Sequence, residues 1–427
     1  MHPTMTSRSR RSGALGLLVA TALMAGGCST TPVFGESAGG SSTATSADAS
    51  TPPMGWNSWN TFGCDIDEKK IEAQADALVA DGMARAGYRY VVVDDCWYAP
   101  SRNGDGALTA DPTRFPSGMA ALARYVHARG LRFGIYSGAS TQMCAQFTGA
   151  YPGSSGSEGH EIADARTFAS WGVDFVKYDW CSSDSDPQRQ MRDFTAMRDA
   201  LRSTGRPIIY SINPNSGLGA TLPGMHHDWG SIATMTRATN DVSPYWTTGQ
   251  GPGGYQGIWD IADATSALAQ RTSSGRYVDM DMLEVGVGTA LSPAAQRSQM
   301  ALWAMSAAPL FAGNDLPSAS PATTSLLTTR GVLAIDQDSA VSSARAYGAT
   351  NRTVRTRQLH DGSIAVSMTN LGATAQSMSI ALGDLGMDRD ATVTDVWTNR
   401  PVSGVARGVV SMTVAPQDTA LLRITPG

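Results

Sequence analysis

The chain has 427 residues, enough for two domains, with a formal net charge of −5 and 16% charged residues. No basic run suits a nucleic-acid backbone, and no internal apolar stretch reaches the ~20 residues of a membrane-spanning helix. The six histidines are scattered and the five cysteines form no Cys-x-x-Cys, so neither a metal site nor a cofactor is expected.

At the N-terminus Arg8, Arg10 and Arg11 precede an apolar run, residues 13–25, too short to span a bilayer. Leu23-Met24-Ala25-Gly26-Gly27-Cys28 resembles a bacterial lipoprotein signal. Residues 1–28 would then be a signal segment ending at a lipidated Cys28, with ordinary cleavage nearby as the alternative. An anchor at Cys28 would be the only link to a membrane. Residues 29–50, rich in Ser, Thr, Ala and Gly, cannot bury a core and are expected to form a flexible tether. Cys64, Cys96, Cys144 and Cys181 remain, an even number in an exported chain, so two disulfides are expected in any of three pairings.

From residue 51 onward short apolar runs alternate with helix-like segments. Strands are expected at 54–59, 88–93, 131–137, 173–179, 207–213, 235–241, 277–282 and 308–313. Helical spacing separates them at 68–86, 118–129, 158–171, 187–204, 256–270 and 293–307, several bounded by Gly or opened by Pro. Eight such units fit a (β/α)₈ TIM barrel over residues 51–338. An open doubly wound sheet is disfavoured because no Gly-rich turn follows the first strand. Residues 339–427 hold short β-prone runs spaced by turns such as Asp361-Gly362, the pattern of a C-terminal antiparallel β-sandwich.

The barrel strands become ionic only at their C-terminal ends, where barrel enzymes keep their chemistry. Val173-Asp174-Phe175-Val176 runs into Lys177-Tyr178-Asp179-Trp180-Cys181, and Val91-Val92-Val93 into Asp94-Asp95. Arg237, Asp241, Asp279 and Asp281 join this rim. A rim rich in carboxylates and poor in histidine suits either a divalent cation or glycosidic cleavage by paired carboxylates. Lys177 and Arg237 favour the second, because fixed cations compete with a metal and lower carboxylate pKa values.

These motifs resemble glycoside hydrolase family 27, the α-galactosidase and melibiase family. The resemblance rests on Pro53-Met54-Gly55-Trp56-Asn57-Ser58-Trp59, Asp94-Asp95-Cys96-Trp97, Gly134-Ile135-Tyr136, Lys177-Tyr178-Asp179-Trp180-Cys181, Arg237 with Asp241, and Asp281-Met282-Leu283. It implies an exo-acting α-galactosidase with Asp179 as nucleophile and Asp241 as acid/base, about 5–5.5 Å apart in a retaining pair. Lys177 would help keep Asp179 ionised, and an anionic neighbour would keep Asp241 protonated. Asp94 and Asp95 would hold the sugar's 4- and 6-hydroxyls, Lys177 the 3- and 4-hydroxyls, and Arg237 and Asp281 would surround the 2-hydroxyl. Trp56 and Tyr136 would wall the pocket, with Asn213 at the end of the fifth strand. The implied disulfides are Cys64–Cys96 and Cys144–Cys181.

Three stretches depart from the family's pattern: Ser211-Ile212-Asn213-Pro214-Asn215, Val278-Asp279-Met280-Asp281 and Gly249-Gln250-Gly251-Pro252-Gly253-Gly254-Tyr255. All lie where the 2-hydroxyl or the leaving group would sit. β-L-Arabinopyranosidase action, isomaltodextranase-like action and a non-catalytic carbohydrate-binding lipoprotein are the competing expectations.

Overall fold

The computed structural model describes residues 49–427 except 185, 218–221, 251–253, 349–351, 388–389, 404 and 406–407. The expected signal segment, Cys28 and the tether to residue 48 lie outside the described residues. Ala49 and Ser50, expected to belong to the tether, are instead bonded to the folded chain. The carbonyl of Ala49 accepts from Gly275 N (3.0 Å) and from the Tyr277 hydroxyl (2.7 Å). That of Ser50 accepts from Ser274 Oγ (3.3 Å).

Eight parallel strands follow: β1 Met54–Asn57, β2 Tyr90–Val93, β3 Arg132–Gly138, β4 Phe175–Asp179, β5 Ile209–Asn213, β6 Met235–Arg237, β7 Tyr277–Asp279 and β8 Leu310–Ala312. From β1 to β7 each strand pairs with the next in sequence, and β8 pairs with β1. The ring closes just beyond β7, where Leu283 bridges to Ala312; Leu283 N donates to Phe311 O (2.7 Å) and Gly313 N to Leu283 O (3.2 Å). This is the expected TIM barrel.

Alternation along the strands divides the core. Tyr90, Val92, Phe175, Ile209, Met235, Tyr277 and Phe311 form one buried cluster. The rings of Tyr90, Phe175 and Phe311 lie 5.3–6.3 Å apart. Room for them depends on a missing side chain: a Cβ on Gly55 would lie 2.5 Å from Tyr90 O and 2.8 Å from the Phe311 ring. The other strand face, with Val91, Val93, Phe133, Ile135, Val176 and Tyr178, belongs to the larger cluster that also holds the helices' apolar faces. Two residues on from Phe175 along the same face stands Lys177, and two further Asp179. The strand thus passes from an apolar floor to an ionic rim.

The segment expected as one helix over 68–86 is two, Glu68–Ala80 and Met83–Ala86. Asp67 caps the first by accepting from Lys70 N (2.8 Å). Gly82, at φ 80°, takes the left-handed turn between them.

The C-terminal part folds as a six-stranded antiparallel sheet and a two-stranded one, Gln376–Ala381 with Val409–Val414. They enclose Val354, Val366, Met368, Val393, Val410, Leu422 and Ile424. The strands Arg345–Ala346 and Arg400–Pro401 were not foreseen, because two residues carry no period-2 pattern. Helix Pro293–Ser306 joins sandwich to barrel: Ser298 Oγ shares a hydrogen bond with Thr419 Oγ1 (2.7 Å) and Arg357 Nη1 donates to Ala304 O (2.5 Å). No described helix is long and apolar enough to cross a membrane.

Candidate active site

A cavity of about 730 Å³ opens at the C-terminal ends of the strands. Six carboxyls line it (Asp94, Asp95, Asp179, Asp241, Asp281 and Glu284) against two cations, Lys177 and Arg237. Burial disfavours ionisation of four of them, Asp95, Asp179, Asp281 and Glu284.

Asp94 and Asp95 follow β2 and are almost fully buried. Asp94 Oδ2 accepts from Asn57 Nδ2 (2.6 Å) and from Lys177 Nζ (2.9 Å). Asp95 Oδ1 accepts from the Tyr98 hydroxyl and from Cys96 N (2.8 Å), and its Oδ2 from Ala145 N (2.7 Å). Burial pushes Asp95 up to about 6, although the Tyr98 hydroxyl and the Ala145 amide oppose it. Cys96 turns the chain at φ 74° and is bonded to Cys64.

Asp179 ends β4, in register with Gly138 and Asn213. Its Oδ1 is buried with no hydrogen-bond partner in the protein. Its Oδ2 lies 3.7 Å from Cys144 Sγ, and the Cys144–Cys181 disulfide spans the strand's exit. Burial pushes Asp179 up to about 7; Lys177 opposes this, while Asp94 and Asp241 add to it. Lys177, expected to help keep Asp179 ionised, acts on it through its charge, while its hydrogen bond goes to Asp94. Although burial disfavours the ammonium charge, Asp94 and Asp179 together hold Lys177 cationic. The ring of Tyr136 lies 5.4 Å from Lys177 Nζ, and its hydroxyl accepts from Cys144 N (3.3 Å).

On the opposite side Arg237 Nη2 bridges Asp241 Oδ1 and Asp281 Oδ2. Val242 N donates to Asp281 Oδ2 (2.7 Å), tying the segments after β6 and β7 together. Asp281 sits at φ 73°, a strained conformation for a non-glycine residue. Burial pushes its carboxyl up to about 6 against the pull of Arg237. Asp281 is buried, whereas the Asp241 side chain is 49% exposed.

The cavity wall gathers Asp94, Asp95, Tyr136, Lys177, Asp179, Arg237, Asp241 and Asp281. Two expected site residues do not reach it. Trp56 is fully buried, and its indole N–H donates to Asn314 O (2.7 Å). Alternation on β1 places Gly55 against the inner Tyr90 and Phe311 and Asn57 against Asp94, so Trp56 points outward. The tryptophan on the wall is Trp59. Asn213 is buried below the surface, and its Oδ1 accepts from Asn215 N (3.0 Å). Asn57, Trp59, Tyr98, Tyr255 and Glu284 complete the site without having been singled out. For Asn57 the signal was available, two residues after Gly55 on the same strand face. For Glu284, inside the apolar run Met282-Leu283-Glu284-Val285, there was none. It accepts from Asn60 Nδ2, and burial pushes it up to about 8.

The family described as alpha galactosidase A matches residues 51–338, and that of the alpha galactosidase C-terminal beta sandwich domain matches residues 350–424. Alpha-galactosidase A of Cellvibrio japonicus (strain Ueda107) is 37% identical over 395 residues, covering 88% of this chain and 93% of its own. The crystal structure of alpha-galactosidase I from Mortierella vinacea superposes with a TM-score of 0.79 at 30% identity, over 89% of this chain and 99% of that one. A family 27 β-L-arabinopyranosidase from Geobacillus stearothermophilus superposes with a TM-score of 0.75 at 26% identity, over 89% and 97%. Matched through both its barrel and its sandwich, the chain belongs to the α-galactosidase A family, the melibiases of glycoside hydrolase family 27.

Proposed function

We propose that the chain is an exo-acting α-galactosidase that works by double displacement with retention. The observation that carries this reading is one cavity holding two carboxyls of opposite character. Asp179 is buried with an unpartnered oxygen; Asp241 is half exposed on the far side of Arg237. Asp179 attacks the anomeric carbon as the C–O bond to the leaving group breaks, and Asp241 passes its proton to the departing oxygen. Water then yields a proton to Asp241 and attacks the anomeric carbon. The ester to Asp179 breaks, and both carboxyls return to their starting states. Positive charge building on the sugar ring lies among carboxylates already fixed by their donors.

Asp94 and Lys177 form a polar pair suited to adjacent sugar hydroxyls, and Asp95 offers a further acceptor. Oδ2 of Asp95 accepts one protein donor and keeps a lone pair for a hydroxyl such as the 6-hydroxyl of galactose. β-L-Arabinopyranose lacks that group, so comparing the α-D-galactoside with the β-L-arabinopyranoside tests this assignment. ¹H NMR of the first-formed sugar should show the α-anomer, and Asp179→Ala should abolish turnover. A β-anomer first, or unchanged hydrolysis by Asp179→Ala, would falsify the mechanism.

Export and lipidation at Cys28 belong to the same proposal. They are supported by the signal-like sequence and by two disulfides, which persist in oxidising compartments. Mass spectrometry of the mature N-terminus should find a diacylglyceryl-modified Cys28; an unmodified N-terminus would reject the lipid anchor.

A further inference from the structure

We propose that Tyr255 is the stacking platform of a leaving-group subsite that takes a carbohydrate, a hexopyranose or longer chain; this rests on the activity proposed above. Among the described residues, four large apolar or aromatic side chains are well exposed: Ile162, Tyr255, Leu371 and Val409. Tyr255 alone of these lines the cavity. It lies in the Gly249–Tyr255 stretch that departs from the family's pattern.

The backbone beside Tyr255 is fixed to the segment that carries Asp241. Gln256 N donates to Asp241 O (2.8 Å) and Ser243 N to Gln256 O (3.0 Å). The Gln256 side chain accepts from Asn240 N (2.9 Å). Gly254, at φ 89°, makes the turn that presents the ring. The oxygen that Asp241 protonates belongs to the leaving group, so whatever that oxygen carries must project past Asp241. Asp94, Asp95, Lys177 and Asp179 occupy the inner end of the cavity. About 730 Å³ lies in the upper part of the ~300–1,000 Å³ range for pockets that bury a drug-sized ligand. The outer part therefore has room for a second sugar.

A tyrosine ring meets the C–H face of a pyranose with its apolar surface, and its hydroxyl reaches the sugar's polar edge. Burial, with Asp241 and Asp281 close by, pushes the Tyr255 phenol up. Binding energy collected here acts on the leaving group and promotes bond cleavage.

The test compares melibiose, which must fill the outer site, with α-D-galactosyl fluoride, whose leaving group cannot. In Tyr255→Ala the ratio of kcat/KM for melibiose to that for the fluoride should fall about tenfold, equivalent to about 1.4 kcal/mol. Tyr255→Phe, which keeps the ring, should hold the ratio within about threefold of the wild type. Inhibition by free galactose, which needs only the inner site, checks the integrity of each variant. Equal loss on both substrates, or a galactose inhibition constant that shifts as far as the ratio, would overturn the subsite. A Tyr255→Phe ratio as low as that of Tyr255→Ala would overturn the stacking role. A wild type that releases galactose from neither substrate would refute the proposed activity itself.

Discussion

Replacing Asp179 with Asn should make the protein more stable, by an amount that grows with pH. In the folded chain burial pushes this carboxyl from its ordinary 3.8 to about 7. A raised folded-state pKa means that the contribution of the neutral acid is intact below about 3.8. It is lost progressively as pH rises towards 7, because the unfolded chain ionises freely while the folded one resists. The gap of about 3 units corresponds to about 4 kcal/mol at pH 8, about 2 kcal/mol at pH 5 and little near pH 4. For about 380 folded residues the unfolding entropy is roughly 0.8 kcal/mol/K, so 4 kcal/mol raises Tm by about 5 °C. Scanning calorimetry of wild type and Asp179→Asn at unit steps from pH 4 to 8 reads this directly. The two Tm curves should meet at the acid end and diverge upward, with the variant higher. A constant offset, or a variant less stable than wild type at pH 8, would show that the pocket does not penalise the ionised carboxyl.

Replacing one carboxylate oxygen by an amide NH2 in Asp95→Asn should lower the preference for the α-D-galactoside over the β-L-arabinopyranoside about ten- to a hundredfold in kcat/KM; equal losses on both substrates would contradict its proposed place beside the 6-hydroxyl. Replacing Cys144 and Cys181 together by Ser frees a loop with a sequence separation of 37 and should cost about 4 kcal/mol of stability. An unchanged denaturation midpoint would count against that clamp. Glu284, pushed from 4.5 to about 8, loses the stability of its neutral form as pH rises through that window. Glu284→Gln should therefore match wild type at pH 4 and inactivate more slowly at pH 9, as read from half-lives at fixed temperature.

Much of this was legible because strands impose a period of two and barrels place function at one end. Asp94, Asp179 and Arg237 could be read as rim residues from the sequence, each ending an apolar run. The same period explains Trp56: family resemblance pointed to an aromatic residue in Gly55-Trp56-Asn57, but only alternate residues face inward, and Gly55 and Asn57 are those. The chain turns into a helix at Trp59, which brings that ring to the cavity instead. What could not be read was pairing across the barrel. Lys177 is two residues from Asp179, yet it reaches Asp94, 83 positions away. Glu284 is buried through Asn60, a partner 224 positions away that no local pattern indicates. The break at Asp81-Gly82 was missed because the apolar spacing continues through it, and only the glycine marks the turn.

The barrel's hydrogen-bond ladder is uneven around its circumference. β3, β4 and β5 have five to seven residues each, whereas β6, β7 and β8 have three, with a single bridge closing the ring. Amide protons on β3–β5 should therefore exchange last, and those near Leu283 and Ala312 among the first of the barrel strands. The division falls along a chemical line. The slowly exchanging arc carries Tyr136, Lys177 and Asp179, while Arg237 ends β6, and Asp241 and Asp281 follow β6 and β7. Under the proposed double displacement, one side of the molecule would stay rigid around the retained sugar while the other breathes to discharge the aglycone and admit water.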